Sequence, residues 1–179
     1  MSSTAKTLAR SRWQALFKKW TIVRYWKQRA LAYAAKQGHV YVLQSLVDHG
    51  ALVGCETWTP LFYTAAKHGQ IDTMQWVLDE IPSKYQVGKH VLGYVIDEGL
   101  GIAAQYGKVG AMEWLVSKGA KLSTPTFKSK RVISIPFERA CRSGKMDAIE
   151  WIFNHCDPEI GLAYSLVYAA QYGRRRTRS

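Results

Sequence analysis

The sequence is poor in cysteine, in long apolar runs and, over its first part, in acidic residues. Its three cysteines, Cys55, Cys141 and Cys156, form no C-x-x-C pair. With no secretory h-region at the N-terminus, they favour free thiols in a reducing, intracellular compartment, the cytoplasm. The longest stretch without a charged residue, 160–173, has only 14 residues and is too short for a transmembrane helix. Apolar residues make up 47% of the chain, which excludes disorder.

Acidic residues are absent from the first 47 positions, which hold nine of the 25 basic residues. They are also absent from 174–179, where four arginines lie. The stretch between, 48–173, holds 12 basic and 13 acidic residues and has a net charge of −1. The formal charge of +12 therefore belongs to the ends of the chain, and a uniformly basic globule is excluded.

What the sequence does contain is an internal repeat. A box of two small residues, two further residues and a glycine occurs five times, with its glycines 31, 38, 37 and 29 residues apart. After each of the first four boxes, apolar residues follow at i, i+3, i+6 and i+7, which predicts an amphipathic helix. Each unit is therefore predicted to be a helix–turn–helix hairpin that buries its apolar face by stacking on its neighbours. The box glycines are Gly38, Gly69, Gly107, Gly144 and Gly173.

The ends of the second helices follow a less regular pattern. Gly50 and Gly119, each twelve residues after a box glycine, are predicted to close two of them. Ile81-Pro82 and the segment 156–158 take that role in the other two. The longer spacings between boxes place insertions at 82–98 and 120–135.

The repeat resembles the ankyrin repeat. Segments 38–51 and 107–120 look like the second helix and turn of that family, and Thr59-Pro60-Leu61 looks like its Thr-Pro-Leu-His opening. The resemblance implies an all-α fold, an ankyrin-like α-solenoid over 29–173 with four repeats plus a half repeat. We expect its β-hairpin fingers to be shortened or replaced by loops. Trp76, Trp114 and Trp151 share one aligned position, which is similar to divergent ankyrin repeats, and we expect them to pack between repeats.

The segment before the repeats, 1–28, is predicted to be a basic amphipathic helix, and 174–179 a basic tail. A cap on the first repeat is the favoured role of this helix. A mitochondrial presequence, a calmodulin-target helix and a helix that docks on an anionic membrane are alternatives. Its apolar face holds Ala9, Trp13, Leu16, Phe17, Trp20 and Val23, and the basic residues off that face are Arg10, Arg12, Lys18 and Lys19.

Motifs for catalysis or ligand binding are weak in this sequence. Gly99, Gly101 and Ala104 form G-x-G-x-x-A after the strand-like segment 91–96, the form of a dinucleotide fingerprint, but the repeat register already explains Ala104. Cys141 with His155 could form a nucleophile–base pair, but Cys141 occupies a small-residue position of a box, where a buried thiol is expected. The histidines lack metal-ligand spacing. We therefore expect no enzyme, no metal, no cofactor and no small-molecule substrate.

The resemblance to ankyrin repeats implies a monomeric scaffold that binds another protein. The positions that it implies for partner contact are the two residues between the small pair and the glycine, and the residue before the second helix stop. Electrostatic docking of the termini on nucleic acid or an anionic membrane is the alternative function, and a mitochondrial location the alternative compartment. The implied contact residues are Lys36, Gln37, Lys67, His68, Gln105, Tyr106, Arg142 and Ser143, then His49, Glu80, Lys118 and His155.

Overall fold

A computed structural model describes residues 25–51, 58–85, 88–122, 124–125, 132–133 and 135–156. These residues form helices and one pair of two-residue strands, which confirms the all-α fold class. Residues 25–37 are helical throughout and are called α1. The elements that follow are α2 (Val40–Asp48), α3 (Trp58–His68), α4 (Ile71–Tyr85), α5 (Lys89–Gln105), α6 (Val109–Ser117), β1 (Thr124–Pro125), β2 (Val132–Ile133), α7 (Ile135–Ser143) and α8 (Met146–His155).

The four described boxes end their helices with the same hydrogen bond. In each, the N–H after the glycine donates to the carbonyl of the first small residue, as from His39 to Ala34 at 3.0 Å and from Lys108 to Ala103 at 2.9 Å. The box glycines have φ between +68° and +78°, a left-handed conformation that is costly for other residues. The predicted reversal at Gly38, Gly69, Gly107 and Gly144 is therefore confirmed.

The stops of the second helices are confirmed in three of four repeats. Gly50 and Gly119 have φ of +70° and +93°, and the residue after each donates back into the helix at 2.9 and 3.0 Å. Helix α8 ends at His155, with Cys156 as its C-cap. The stop predicted at Ile81-Pro82 is wrong, because α4 continues to Tyr85. A proline removes one backbone hydrogen bond, and α4 tolerates that loss near its end.

The hairpins stack so that helices from successive repeats lie side by side. Helix α5 packs against α3 and α7 in the row of first helices, and α4 packs against α2 and α6 faces α8 in the row of second helices. The small pairs of the boxes are buried in one core that continues through the stack, as Ala35, Ala66 and Ala104 illustrate at 0% exposure. Their short side chains allow the helices to approach closely, which is why the box needs small residues.

The connections between repeats differ in length, from three residues between α4 and α5 to seventeen between α6 and α7. Only residues 86–88 separate α4 from α5, so no hairpin fits there. Between α6 and α7, Thr124 pairs with Ile133 and Pro125 with Val132 in an antiparallel ladder of two residues. The segment 91–96, which looks strand-like in the sequence, is helical as part of α5. Its Val95 is buried in the helical core, and tertiary packing overrides the strand propensity of its β-branched residues.

The aligned tryptophans connect successive repeats, as predicted. Trp76 Nε1 donates to Gln44 Oε1 of the preceding repeat at 2.7 Å, and Trp151 Nε1 donates to Glu113 Oε1 at 3.1 Å. All three rings are partly buried against the core. The predictions for the helix before residue 25, for the box at Gly173 and for the basic tail lie outside the described residues.

Candidate protein-binding surface

The box residues implied for partner contact lie together at one end of the helix pairs. Each first helix ends there, and the chain turns through the box glycine into the second helix. The side chains of these residues are exposed or half-buried. We call this surface the turn rim and include the residue after each glycine. Its members are Lys36, Gln37, His39, Lys67, His68, Gln70, Gln105, Tyr106, Lys108, Arg142, Ser143 and Lys145.

The other four implied residues, His49, Glu80, Lys118 and His155, belong to a different surface, which we call the opposite rim. Lys27 Nζ donates to the His49 carbonyl at 3.0 Å, so the end of α2 lies beside the early part of α1. Lys27 precedes Gln37 by ten residues, which is about 15 Å along a helix. The structure therefore separates the implied contact residues into two surfaces.

The turn rim is continuous from one repeat to the next. Gln70 Nε2 donates to the carbonyl of Lys36, in the preceding repeat, at 3.1 Å. Lys67 Nζ lies 4.7 Å from the centre of the Tyr106 ring, in the following repeat, which is a cation–π contact. Contacts of this kind join side chains that are distant in the sequence into one row.

The residue after each box glycine lies over the glycine of the preceding repeat. A Cβ atom at Gly69 would lie 3.3 Å from Lys108 Cδ, and one at Gly107 would lie 3.2 Å from Lys145 Cδ. At Gly38 the added Cβ would be 2.5 Å from Gln70 Oε1. The glycines are therefore required both for the turn and for this contact between repeats.

The turn rim is electropositive near its centre. The pKa of His68 is lowered, first by burial and then by the positive charges of Lys36, Lys67 and Lys108. These lysines come from three consecutive repeats, so their effect on one imidazole shows that stacking brings them together.

On the opposite rim, side chains contact their own helix. His49 Nδ1 lies 2.7 Å from the Ser45 carbonyl oxygen, within hydrogen-bond distance. His155 Nδ1 lies 2.8 Å from the Trp151 carbonyl oxygen, and its ring stacks on Trp151 at 4.2 Å. Lys118 Nζ lies 5.3 Å from the Trp114 ring centre. Glu80 is not at a helix end, since α4 continues past it.

Comparison with known families agrees with this geometry. A family model described as ankyrin repeats, in three copies, matches residues 4–88. The same turn geometry recurs beyond the match, at Gly107 and Gly144. The chain therefore contains ankyrin repeats. Ankyrin repeats are generally protein–protein interaction modules, and the family is generally non-enzymatic. A comparison with curated proteins finds no match.

The matched range includes residues 4–28, for which we predicted a basic amphipathic helix. The boundary between that helix and the ankyrin repeats stays a prediction. Thr59-Pro60-Leu61, the segment that resembles the family's opening motif, lies in the first turn of α3. Proline is tolerated in the first turn because its missing N–H has no partner within the helix there.

Several surface residues of these ankyrin repeats were missed in the sequence. Lys108 and Lys145 follow box glycines, and this shared register position was the available signal. Arg139 Nη2 of α7 and Glu98 Oε1 of α5 form an ion pair at 2.6 Å. Nearby, the pKa of Tyr63 is raised, chiefly by burial and next by Glu98. No local pattern could have identified that pair, because its partners meet only when two repeats stack.

The glycine motif Gly99-x-Gly101 lies within α5 rather than in a loop between a strand and a helix. A Cβ atom at Gly99 would lie 2.7 Å from Phe62 Cε1, and one at Gly101 would lie 3.0 Å from Arg139 Nη1. Both glycines thus allow neighbouring helices to approach. The geometry does not match a phosphate-binding turn at a helix N-terminus.

Cys141 and His155, the hypothetical nucleophile–base pair, are not brought together. Cys141 is buried near the end of α7, and burial raises its thiol pKa to about 11. His155 lies at the far end of α8. Among the described residues, no group of three or more His, Cys, Asp or Glu side chains could hold a metal ion. The described helices include none with the length and apolar character needed to cross a membrane.

Proposed function

We propose that this ankyrin-repeat chain is a non-enzymatic scaffold that binds another protein through its turn rim. The observation that carries the proposal is the repeated register of exposed or half-buried polar side chains at the turn end of four consecutive repeats. Because each first helix ends with the same backbone hydrogen bond, these side chains project from fixed positions. A rigid row loses less conformational entropy on binding than a flexible loop would.

Tyr106 is the residue from which we expect the largest contribution to binding. Its side chain is 38% exposed, and it is the aromatic residue among polar neighbours of the turn rim. The Lys67 ammonium over its ring restricts the orientation of both side chains. Aromatic residues and arginines dominate the energy of protein interfaces, so Arg142 is the second candidate.

Alanine substitution on the two rims tests the proposal. The full chain is used to capture a partner, and affinity is then measured for Tyr106→Ala, Arg142→Ala and Lys67→Ala. Matched controls are His49→Ala and Lys118→Ala on the opposite rim. We expect Tyr106→Ala to weaken binding by roughly tenfold or more and the controls to change it by less than about twofold. Unchanged affinity in all turn-rim variants would overturn the proposal.

Docking of the termini on nucleic acid or an anionic membrane is a second candidate, favoured by the acid-free composition of 1–47 and 174–179. Deletion of 1–23 and of 174–179 distinguishes docking of the termini from protein binding through the turn rim. Binding to polyanions that depends on salt is expected to disappear, whereas capture of a protein by the repeats is expected to survive. Light scattering of the full chain tests the proposed monomeric state.

We also propose a reducing compartment, the cytoplasm, as the location of the protein. The free thiol of Cys141, which is buried, supports this proposal. Fluorescence microscopy of the full chain with a C-terminal tag distinguishes it from the mitochondrial alternative.

A further inference from the structure

We infer that the turn rim binds an acidic protein segment in an extended conformation, through Lys36, Lys67 and Lys108. This inference rests on the proposed function and adds the chemical class of the partner. The three lysines occupy consecutive repeats, with Lys67 next to His68 in the chain and the stem of Lys108 over the neighbouring Gly69. Carboxylates at matching intervals would neutralise charges that the repeat stack brings close together.

The three lysines have no acidic partner among the residues that the structure describes. The two ion pairs found there join Arg139 to Glu98 and Arg142 to Glu138, so both use arginines. Asp72 and Asp147 lie in the first turns of α4 and α8, at the same end of the stack. The charges that act on His68 are nevertheless those of lysines alone. The centre of the turn rim is therefore a positive patch that an anionic partner would complement.

Two of the lysines are already held in position. The stem of Lys108 lies over Gly69, and the ammonium group of Lys67 lies over the Tyr106 ring. Ordering a free lysine side chain on binding costs entropy, and these contacts reduce that cost. Helices in contact lie about 8–10 Å apart, so lysines of adjacent repeats have a similar spacing. A segment in the extended polyproline II conformation has three residues per turn and advances about 3.1 Å per residue, so acidic residues at every third position lie on one face and fit the row.

A protein segment fits this surface better than a single-stranded nucleic acid does. Nucleic acids without sequence-specific contacts are held by phosphate contacts together with stacking of bases on exposed aromatic rings. The ring of Tyr106, the aromatic residue on the turn rim, is engaged by the Lys67 ammonium. The other turn-rim groups donate hydrogen bonds or carry positive charge, which suits carboxylates.

The test measures binding of the full chain to a labelled peptide with glutamate at every third position and glycine elsewhere. A peptide with glutamine in place of glutamate is the neutral control. The binding variant is Lys36→Glu, Lys67→Glu and Lys108→Glu together. Its matched control is Lys89→Glu, Lys118→Glu and Lys121→Glu, which changes the net charge equally at exposed positions off the turn rim. Both variants keep the basic termini, so the contribution of the termini is the same in each.

We expect the acidic peptide to bind in preference to the neutral one and to weaken as salt rises. The turn-rim variant is expected to lose roughly tenfold in affinity and the matched control less than about twofold. The variant with glutamine at Lys36, Lys67 and Lys108 is expected to lose an intermediate amount of affinity. Thermal unfolding checks that this variant remains folded. Equal losses in the two Glu variants, or no preference for the acidic peptide, would overturn the inference.

Two further outcomes separate this inference from the proposed function. If a captured partner depends on Tyr106 but its binding segment is neutral and insensitive to the lysine variants, the acidic partner is wrong and the proposed surface stands. If neither Tyr106→Ala nor the lysine variants affect the captured partner, the proposed surface fails as well. Tighter binding of a single-stranded RNA than of the acidic peptide, lost in the turn-rim variant, would overturn the assignment to a protein.

Discussion

The two rims of the repeat stack are built from equivalent helix ends, yet they differ in how their side chains make contacts. On the turn rim, Gln70 and Lys67 reach side chains or backbone of a neighbouring repeat. On the opposite rim, His49 and His155 contact carbonyl oxygens one turn back in their own helices. The described contacts of the turn rim therefore join successive repeats, whereas those of His49 and His155 stay within one helix.

This difference shows that exposure and register do not by themselves define a binding surface. The resemblance to ankyrin repeats implied residues on both rims, and both sets lie at or near the surface. The turn rim differs because its side chains are supported across repeats and because its central charges have one sign. A partner that binds the turn rim as we propose would contact several repeats at once.

The largest expected effect comes from the core beneath each rim. Ala104→Leu inserts a larger side chain at a fully buried box position below the turn rim. We expect it to lower the free energy of unfolding by about 1–3 kcal/mol, since overpacking strains a close helix contact. Ala120 lies below the opposite rim and is 7% exposed, so Ala120→Leu is expected to lower the free energy of unfolding by less than Ala104→Leu does. Urea denaturation measures the free energy of unfolding of both variants. A larger loss of stability in Ala120→Leu than in Ala104→Leu would contradict the expected difference between the rims.

Glycine substitution gives a more direct comparison, because the expected difference between the two variants comes from one hydrogen bond. Gly38 on the turn rim and Gly50 on the opposite rim both have positive φ, +78° and +70°. Alanine at either position is expected to cost about 1–2 kcal/mol of stability from the left-handed backbone. At Gly38 the new methyl group would also displace the Gln70 amide from the Lys36 carbonyl, whereas nothing lies within 4 Å at Gly50.

We therefore expect Gly38→Ala to be the more destabilising by about 0.5–1.5 kcal/mol, the net value of a typical hydrogen bond. Thermal and urea unfolding of the two variants measure the difference. Combining Gly38→Ala with Gln70→Ala is the control, because without the Gln70 amide the additional cost should disappear. Equal stability of Gly38→Ala and Gly50→Ala would show that the contact of Gln70 with the preceding repeat does not stabilise the fold.

The smallest effect concerns the charge of His68. Burial and the three lysines lower its pKa in the folded protein, so the unfolded chain binds the proton more readily. Stability should therefore fall as the pH drops through the unfolded-state pKa of about 6.5. Lys36→Gln, Lys67→Gln and Lys108→Gln together are expected to raise the pKa of His68. NMR titration of the imidazole measures it, with Lys89→Gln, Lys118→Gln and Lys121→Gln as the control that should leave it unchanged.

Much of the fold could be predicted because helix ends carry a local signal. The glycines at Gly38, Gly69, Gly107 and Gly144 terminate helices through backbone conformation, which depends on the residue itself and its immediate neighbours. Local sequence preference is misleading where it disagrees with packing. Val91, Val95 and Ile96 favour a strand in isolation, but α5 buries Val95 in the core between repeats.

The candidate site was less predictable than the fold. The sequence identified Lys36, Lys67 and Tyr106 by their register, but it did not identify Lys108 or the ion pair of Glu98 with Arg139. It also combined two sets of residues that lie at opposite ends of the helices. Register along the chain gives the position of a residue within its repeat, whereas contact across repeats depends on how the repeats stack.

The sequence by itself determined the repeat, the turns and the balance of charge. It predicts that 48–173 is nearly neutral, with a net charge of −1. Only the tertiary structure decided where those charges meet. Stacking places the turns of successive repeats next to one another, so lysines more than 30 residues apart in the chain act on one imidazole. Electrostatic interaction depends on distance in space, so Lys67 and Lys108 of the nearly neutral segment contribute, together with Lys36 of the basic first part, to one positive surface.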